Sequence, residues 1–289
     1  MLPRLLLAAG ALTLAAPATA LADATLTAGP LKVRDYQLTL VATDAAKDSL
    51  SVMLSRRSGA STQLHMYGFA SGVTVKAAGA KPTISAKLGR YGSVKLTLGT
   101  LKSGRGSVPA GCTGSGGRND RGSFSGALQL KLDTTYFKTV KASSLPGARV
   151  SGGALRCDGG TGGQTSGLTL MAMPESGDGN TFMVNATRTA GGGVTQSAMR
   201  SDAAAATAPA TVMHMITATS AASTFTTAAD LSSATLTGPA PFLSGALAFA
   251  GEATGTMASG TVSGDWAAKF DSIGTQRLAA GTTATLMQR

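Results

Sequence analysis

A helix packed against a core in water covers its outer face with long charged or amide side chains, above all Glu and Lys. This chain of 289 residues contains two glutamates, Glu175 and Glu252. Its polar positions are filled by Thr, Ser and Gly, and Thr favours the extended backbone of a strand. Charged residues make up 13% of the chain, about half the usual share. The 38 glycines follow no collagen-like period and punctuate turns instead. An all-β fold is therefore expected from the surface chemistry.

Hydrophobic alternation points the same way. Phe124, Gly126, Leu128, Leu130 and Leu132 recur at every second position, with Ser125, Ala127, Gln129 and Lys131 between them. Val94, Leu96 and Leu98 alternate with Lys95 and Thr97, and Leu50, Val52 and Leu54 with Ser51, Met53 and Ser55. Period two sends one set to a core and the other to water, the mark of half-buried antiparallel strands. Further strands are predicted over 34–43, 62–69, 72–78, 83–88, 136–142 and 148–156. The second half adds 167–173, 181–188, 194–200, 211–219, 233–237, 242–250, 254–262, 265–271 and 276–287. Many short strands between Gly-rich turns suit a β-sandwich or barrel.

Residues 1–24 read as a helical secretory signal peptide. Arg4 precedes the apolar run from Leu5 to Ala16, Pro17 breaks it, and small residues around Ala20, Ala22 and Ala24 offer overlapping cut sites. The run is too short to span a bilayer. Export is therefore expected, to a secreted or extracytoplasmic location, with no membrane span after cleavage. A transmembrane barrel would need aromatic girdles, and aromatics are 4% of the chain.

The glycine-rich stretch 159–167 reads as a linker between a basic β domain, 25–158, and a second β domain, 168–289. Leu38-Thr39-Leu40 is echoed by Leu168-Thr169-Leu170, and Ser125-Gly126-Ala127-Leu128 by Ser244-Gly245-Ala246-Leu247. These echoes leave a tandem duplication open, since short matches also arise by chance in so biased a composition. Charge divides unevenly. Residues 25–165 carry 19 Lys and Arg against 6 Asp, whereas 166–289 carry 5 basic and 7 acidic residues.

Cys112 and Cys157 are the only cysteines, and an even count in an exported chain predicts a disulfide. They do not form a CxxC motif, and two distant histidines complete no zinc set. No cofactor and no metal site is expected. His65 and His214 read as strand residues at a partly wet edge. No GxSxG, HExxH or P-loop motif is present. Glu175, Asp178 and Asn180 lack calcium-loop spacing and read as a tight turn. Asp265 and Asp271 could share a strand face, as glycosidase carboxylates must, but suit strand ends equally.

The remaining chemistry is basic. Arg56, Arg57, Lys87, Arg90, Lys95, Lys102 and Arg105 form the candidate anion-binding set. Few aromatics interleave them, which speaks against specific nucleic-acid recognition. The expectation is a secreted non-catalytic β protein whose basic half contacts an anionic envelope surface or polymer. The alternative is an exported hydrolase with a carboxylate site that no motif announces.

Overall fold

The computed structural model describes residues 24–44, 47–77, 81–100, 102, 112–113, 118–132, 139–151, 156–157, 168–172, 181–188, 193–203 and 211–288. Residues 1–23 of the expected signal peptide, the 159–167 linker, the 175–180 turn and Arg105 lie outside them. The described chain is antiparallel β-structure throughout, with a single 3-10 turn at Gly89–Tyr91 and no α-helix among the described residues.

The first half runs through β1 (Ala24–Val33), β2 (Tyr36–Asp44), β3 (Ser49–Ser58) and β4 (Ser61–Phe69). It continues with β5 (Val73–Lys76), β6 (Thr83–Lys87), β7 (Gly92–Leu98) and β8 (Cys112–Thr113). β9 (Arg118–Leu130), β10 (Val140–Ser151) and β11 (Arg156–Cys157) complete it. The second half comprises β12 (Leu168–Ala172), β13 (Thr181–Arg188), β14 (Val194–Ala203) and β15 (Thr211–Ser220). Then come β16 (Thr224–Thr227), β17 (Ser233–Thr237), β18 (Leu243–Ser244) and β19 (Ala246–Thr254). The last are β20 (Met257–Gly264), β21 (Ala267–Phe270), β22 (Gly274–Arg277) and β23 (Thr282–Gln288).

Each half curls into a nearly closed ring. In the first, ladders run β5-β6-β7-β9-β10-β1-β2-β3-β4. In the second they run β16-β17-β19-β20-β23-β12-β13-β14-β15. The connectivity is the same, so the architecture is repeated, with β4 and β15 in equivalent places. Among the described residues no ladder joins β4 to β5 or β15 to β16. Such open edges invite foreign strands. Here the two edges pair with each other, β15 lying antiparallel to β4 from Thr211↔Gly68 to Ala218↔Ser61.

Inside each ring sits its own apolar cluster. Leu26, Leu38, Leu40, Leu50, Val52, Leu54, Ile84, Leu96 and Phe124 are among the buried residues of the first. Phe182, Ile216, Phe225, Leu236, Phe249, Trp266 and Leu286 are among those of the second. Burying one such leucine contributes about 2 kcal/mol. The sequence alternation is the cause: along β2, buried Tyr36, Leu38, Leu40 and Ala42 alternate with wetter residues.

The strand boundaries differ from expectation at identifiable places. β1 occupies residues that the sequence reading gave to the end of the signal and the start of the mature chain. The short β16 carries one buried hydrophobe, Phe225, too little for a period to show. Over the described residues, the predicted segments 136–142 and 148–156 fall on β10 and β11, and the β9–β10 register shifts between Ala142 and Ser144. Both sequence echoes fall on non-equivalent strands: β2 against β12, and β9 against β18–β19. The repeat lies in connectivity, not in those matches.

Candidate functional site

Two regions concentrate polar chemistry, a buried seam between the rings and a basic outer face. The seam begins with strand phase. On β4 the inward positions are Ser61, Gln63, His65, Tyr67 and Phe69, all buried. On β15 the matching positions include His214, Ile216 and Ala218. The register sets His65 opposite His214, and their Nδ1 atoms lie 2.8 Å apart. One ring nitrogen donates and the other accepts, so a single proton lies between them. Ser272 Oγ completes the contact at 3.3 Å from His65 Nδ1 and 3.2 Å from His214 Nδ1. The rings of Tyr67 and Phe270 pack edgewise against His214.

Ser272 belongs to a tight turn, residues 271–273, joining β21 to β22, and first-half side chains grip that turn. Arg56 Nη2 donates to Asp271 Oδ1 at 2.7 Å, with both side chains about one-fifth to one-quarter exposed. The Tyr36 hydroxyl donates to Asp271 Oδ2. Gln63 Oε1 accepts from the Asp271 backbone N–H at 3.1 Å, and its Nε2 donates to the Lys269 carbonyl at 3.4 Å. The Arg56 guanidinium sits over the rings of Phe242, at 4.9 Å, and Tyr36, at 5.6 Å.

Burial lowers the basicity of His65, His214 and the Arg56 charge lower it further, and together they push its pKa down to about 3. The seam can therefore hold a neutral His65 ring hydrogen-bonded to His214 and Ser272, and dock one ring on the other.

This corrects the reading of the histidines as residues at a partly wet edge. They are buried, and each is the other's partner across 149 positions of sequence. Asp265 and Asp271 do not act as a pair: exposed Asp265 accepts from the Ala246 backbone N–H, while Asp271 enters the seam. No group of three or more His, Cys, Asp or Glu suited to a metal ion occurs among the described residues.

The basic face is built by β5, β6, β7, β9 and β10. Their inward residues include Val75, Ile84, Ala86, Val94, Leu96 and Leu128. Their outward residues form three rows across the ladders. One row is Lys87, Ser93, Gln129 and Lys141; the next is Thr74, Ser85, Lys95 and Ala127; the third is Lys76, Thr83, Thr97, Ser125 and Ser144. Four lysines thus stand among seven hydroxyls, with no carboxylate in the rows.

The predicted anion-binding residues are divided by the fold. Lys87 and Lys95 stand on this face. Arg90 lies at its end, where a recess of about 370 Å³ is lined by Phe69, Gly72, Lys87, Arg90 and Tyr91. Lys102 joins Arg121 through a paired backbone bridge, and both side chains are exposed. Arg56 is engaged in the seam, and exposed Arg57 donates to the Gly59 carbonyl. Lys141 was not in the predicted set, although its place opposite Gln129 on the outward phase of β10 makes it part of the face. Cys112 and Cys157 stand directly opposite each other in the β8–β11 ladder.

No family model matches the chain, and no curated protein matches it by sequence. Among solved structures, an AttH candidate from Nitrosomonas europaea is 9% identical, covers 92% of each chain and has a TM-score of 0.26. Kievitone hydratase from Nectria haematococca is also 9% identical, over 92% of this chain and 88% of its own, with a TM-score of 0.25. Likeness this distant transfers neither a fold nor a chemistry to this chain.

Proposed function

We propose that this is an exported, non-catalytic β protein that binds an anionic polymer through the outer face of β5, β6, β7, β9 and β10. The supporting observation is the composition of that face, four lysines among hydroxyls with no carboxylate in its rows. Ammonium groups held on a rigid sheet add into one field that attracts polyanions, and the hydroxyls can replace water around a hydroxylated chain. The rows contain no aromatic side chain on which bases would stack, so a polysaccharide fits better than a nucleic acid. The secreted or extracytoplasmic location rests on the N-terminal segment, and the proposed Cys112–Cys157 disulfide on the β8–β11 register.

The test compares the full-length protein with a Lys76, Lys87, Lys95 and Lys141→Gln variant on immobilised anionic polysaccharide over a salt series. Binding should weaken steeply with salt, since the Debye length falls from about 10 Å at 0.1 M to about 3 Å at 1 M. The variant should elute at distinctly lower salt. Identical elution of the two proteins overturns the assignment.

A second reading, an exported hydrolase, gains from Ser272 lying within hydrogen-bond reach of both histidines beside Asp271. Against it, Arg56, Tyr36 and Gln63 already engage the Asp271 turn. Turnover of ester or glycoside substrates that disappears in Ser272→Ala would establish it.

A further inference from the structure

The basic face is not uniformly flat. Between β9 and β10 the register runs from Ser125↔Ser144 to Leu128↔Ala142, so Gly126 and Ala127 on one strand face Ser143 alone on the other. That is a β-bulge, which bends its strand and interrupts the ladder. Gly126 makes it feasible: its φ is +139°, and a Cβ there would fall 2.1 Å from the Lys95 carbonyl oxygen. The result is a shallow groove of about 500 Å³, lined by Gly126, Ala127, Gln129, Lys141, Ala142 and Ser143, a volume within the roughly 300–1,000 Å³ usual for small-ligand sites.

We propose that this groove is the subsite that seats one acidic pyranose unit of the polymer, an inference that rests on the polymer-binding assignment above. Each part of the lining matches a part of such a sugar. The Gly126–Ala127 floor offers a small apolar surface for the C–H face of the ring. Gln129, exposed on the rim, supplies both an amide donor and a carbonyl acceptor for ring hydroxyls, and Ser143 adds a hydroxyl. Lys141, registered opposite Gln129, supplies the cation for the carboxylate. Lys95, registered opposite Ala127 on the next strand about 4.8 Å away, places a second cation on the other side of the floor. The polymer then continues along the row from Lys141 to Lys87, which spans three strand spacings, about 14 Å. Lysines alone would attract any polyanion. The concavity with its amide selects among them by shape and hydroxyl pattern.

Ala127→Ile tests this directly, because Ala127 is exposed, Ile suits a strand, and the net charge is unchanged. Gln129→Leu, which removes the amide from an exposed position, is the companion, and thermal melts confirm that both variants fold. Oligogalacturonate is titrated calorimetrically into each full-length protein at 0.15 M salt, with dextran sulfate and single-stranded DNA as other polyanions. The proposal expects at least tenfold weaker oligogalacturonate binding in both variants, with dextran sulfate binding unchanged. Unchanged oligogalacturonate affinity in both folded variants, alongside a loss in the four-lysine variant, removes the groove and leaves the basic face. No loss in any variant removes both assignments. Single-stranded DNA binding as tight as oligogalacturonate overturns the choice of a sugar.

Discussion

His65 shows how a residue's environment decides its chemistry. In water its imidazole would be half charged near pH 6.5. In the seam it has lost most of its hydration and faces His214, with Arg56 from β3 and the already bound Asp271 nearby. The folded state therefore prefers the neutral ring. Stability from this preference is fully present above pH 6.5 and is lost as the pH falls toward 3, where the deficit reaches about 4 kcal/mol. Denaturant titrations at pH 7, 5 and 3 should show that decline. A paired His65→Leu, His214→Leu variant should flatten it, since both members of a buried polar pair are then replaced by apolar groups. An unaltered pH slope in that variant would show that the acid sensitivity arises elsewhere. The sequence carried half of this site. Gln63, His65 and Tyr67 share one strand phase, and that phase points inward. It could not show the partner 149 positions away, and an inward histidine with no visible partner looks like an edge residue.

Among the elements, strands with a strong two-residue period are readable from the sequence alone, as β13 over 181–188 and β17 over 233–237 demonstrate. β1 is hidden by its position against the expected signal segment, and the bulge of β9 by the fact that pairing partners are set by tertiary contacts. The short β8–β11 ladder carries a prediction of its own. Residues directly opposite in an antiparallel pair have Cα atoms about 4.5 or 5.5 Å apart, within the range a disulfide spans. A Cys112–Cys157 bond would close a loop of 46 residues and stabilise the fold by about 4 kcal/mol in the chain-entropy account. Protein exported through an oxidising compartment should weigh two hydrogens less under non-reducing conditions than after reduction, and should melt lower once reduced. Two titratable thiols in the folded exported protein would contradict this.

At the scale of the whole molecule, the rings are held to each other by the β4–β15 ladder and by the grip of Tyr36, Arg56 and Gln63 on the Asp271 turn. The intact chain should therefore unfold in a single calorimetric transition. Asp271→Ala leaves a half-buried guanidinium without its carboxylate, at a cost of about 1–3 kcal/mol, and should broaden or split the transition as the rings lose their coupling. A sharp transition merely displaced to lower temperature would assign Asp271 to the stability of its own ring. The basic excess of residues 25–165 is readable from the sequence; which lysines share a face is not, because that depends on how strands are ordered around a ring.

The β4–β15 seam has the symmetry of a dimer interface. Two copies of a single-ring protein, each with an open edge at its fourth strand, would join antiparallel about a twofold axis, and every contact would occur twice, as in an isologous dimer. Residues close to that axis meet their own symmetry mates. This chain has equivalent strands at its seam, antiparallel, with a histidine facing a histidine at the centre of the ladder. Its interior thus has the form of a homodimer interface written into one polypeptide. The two halves of that interface differ in charge: the first carries the basic outer face, and the second supplies the acidic turn that locks the two together.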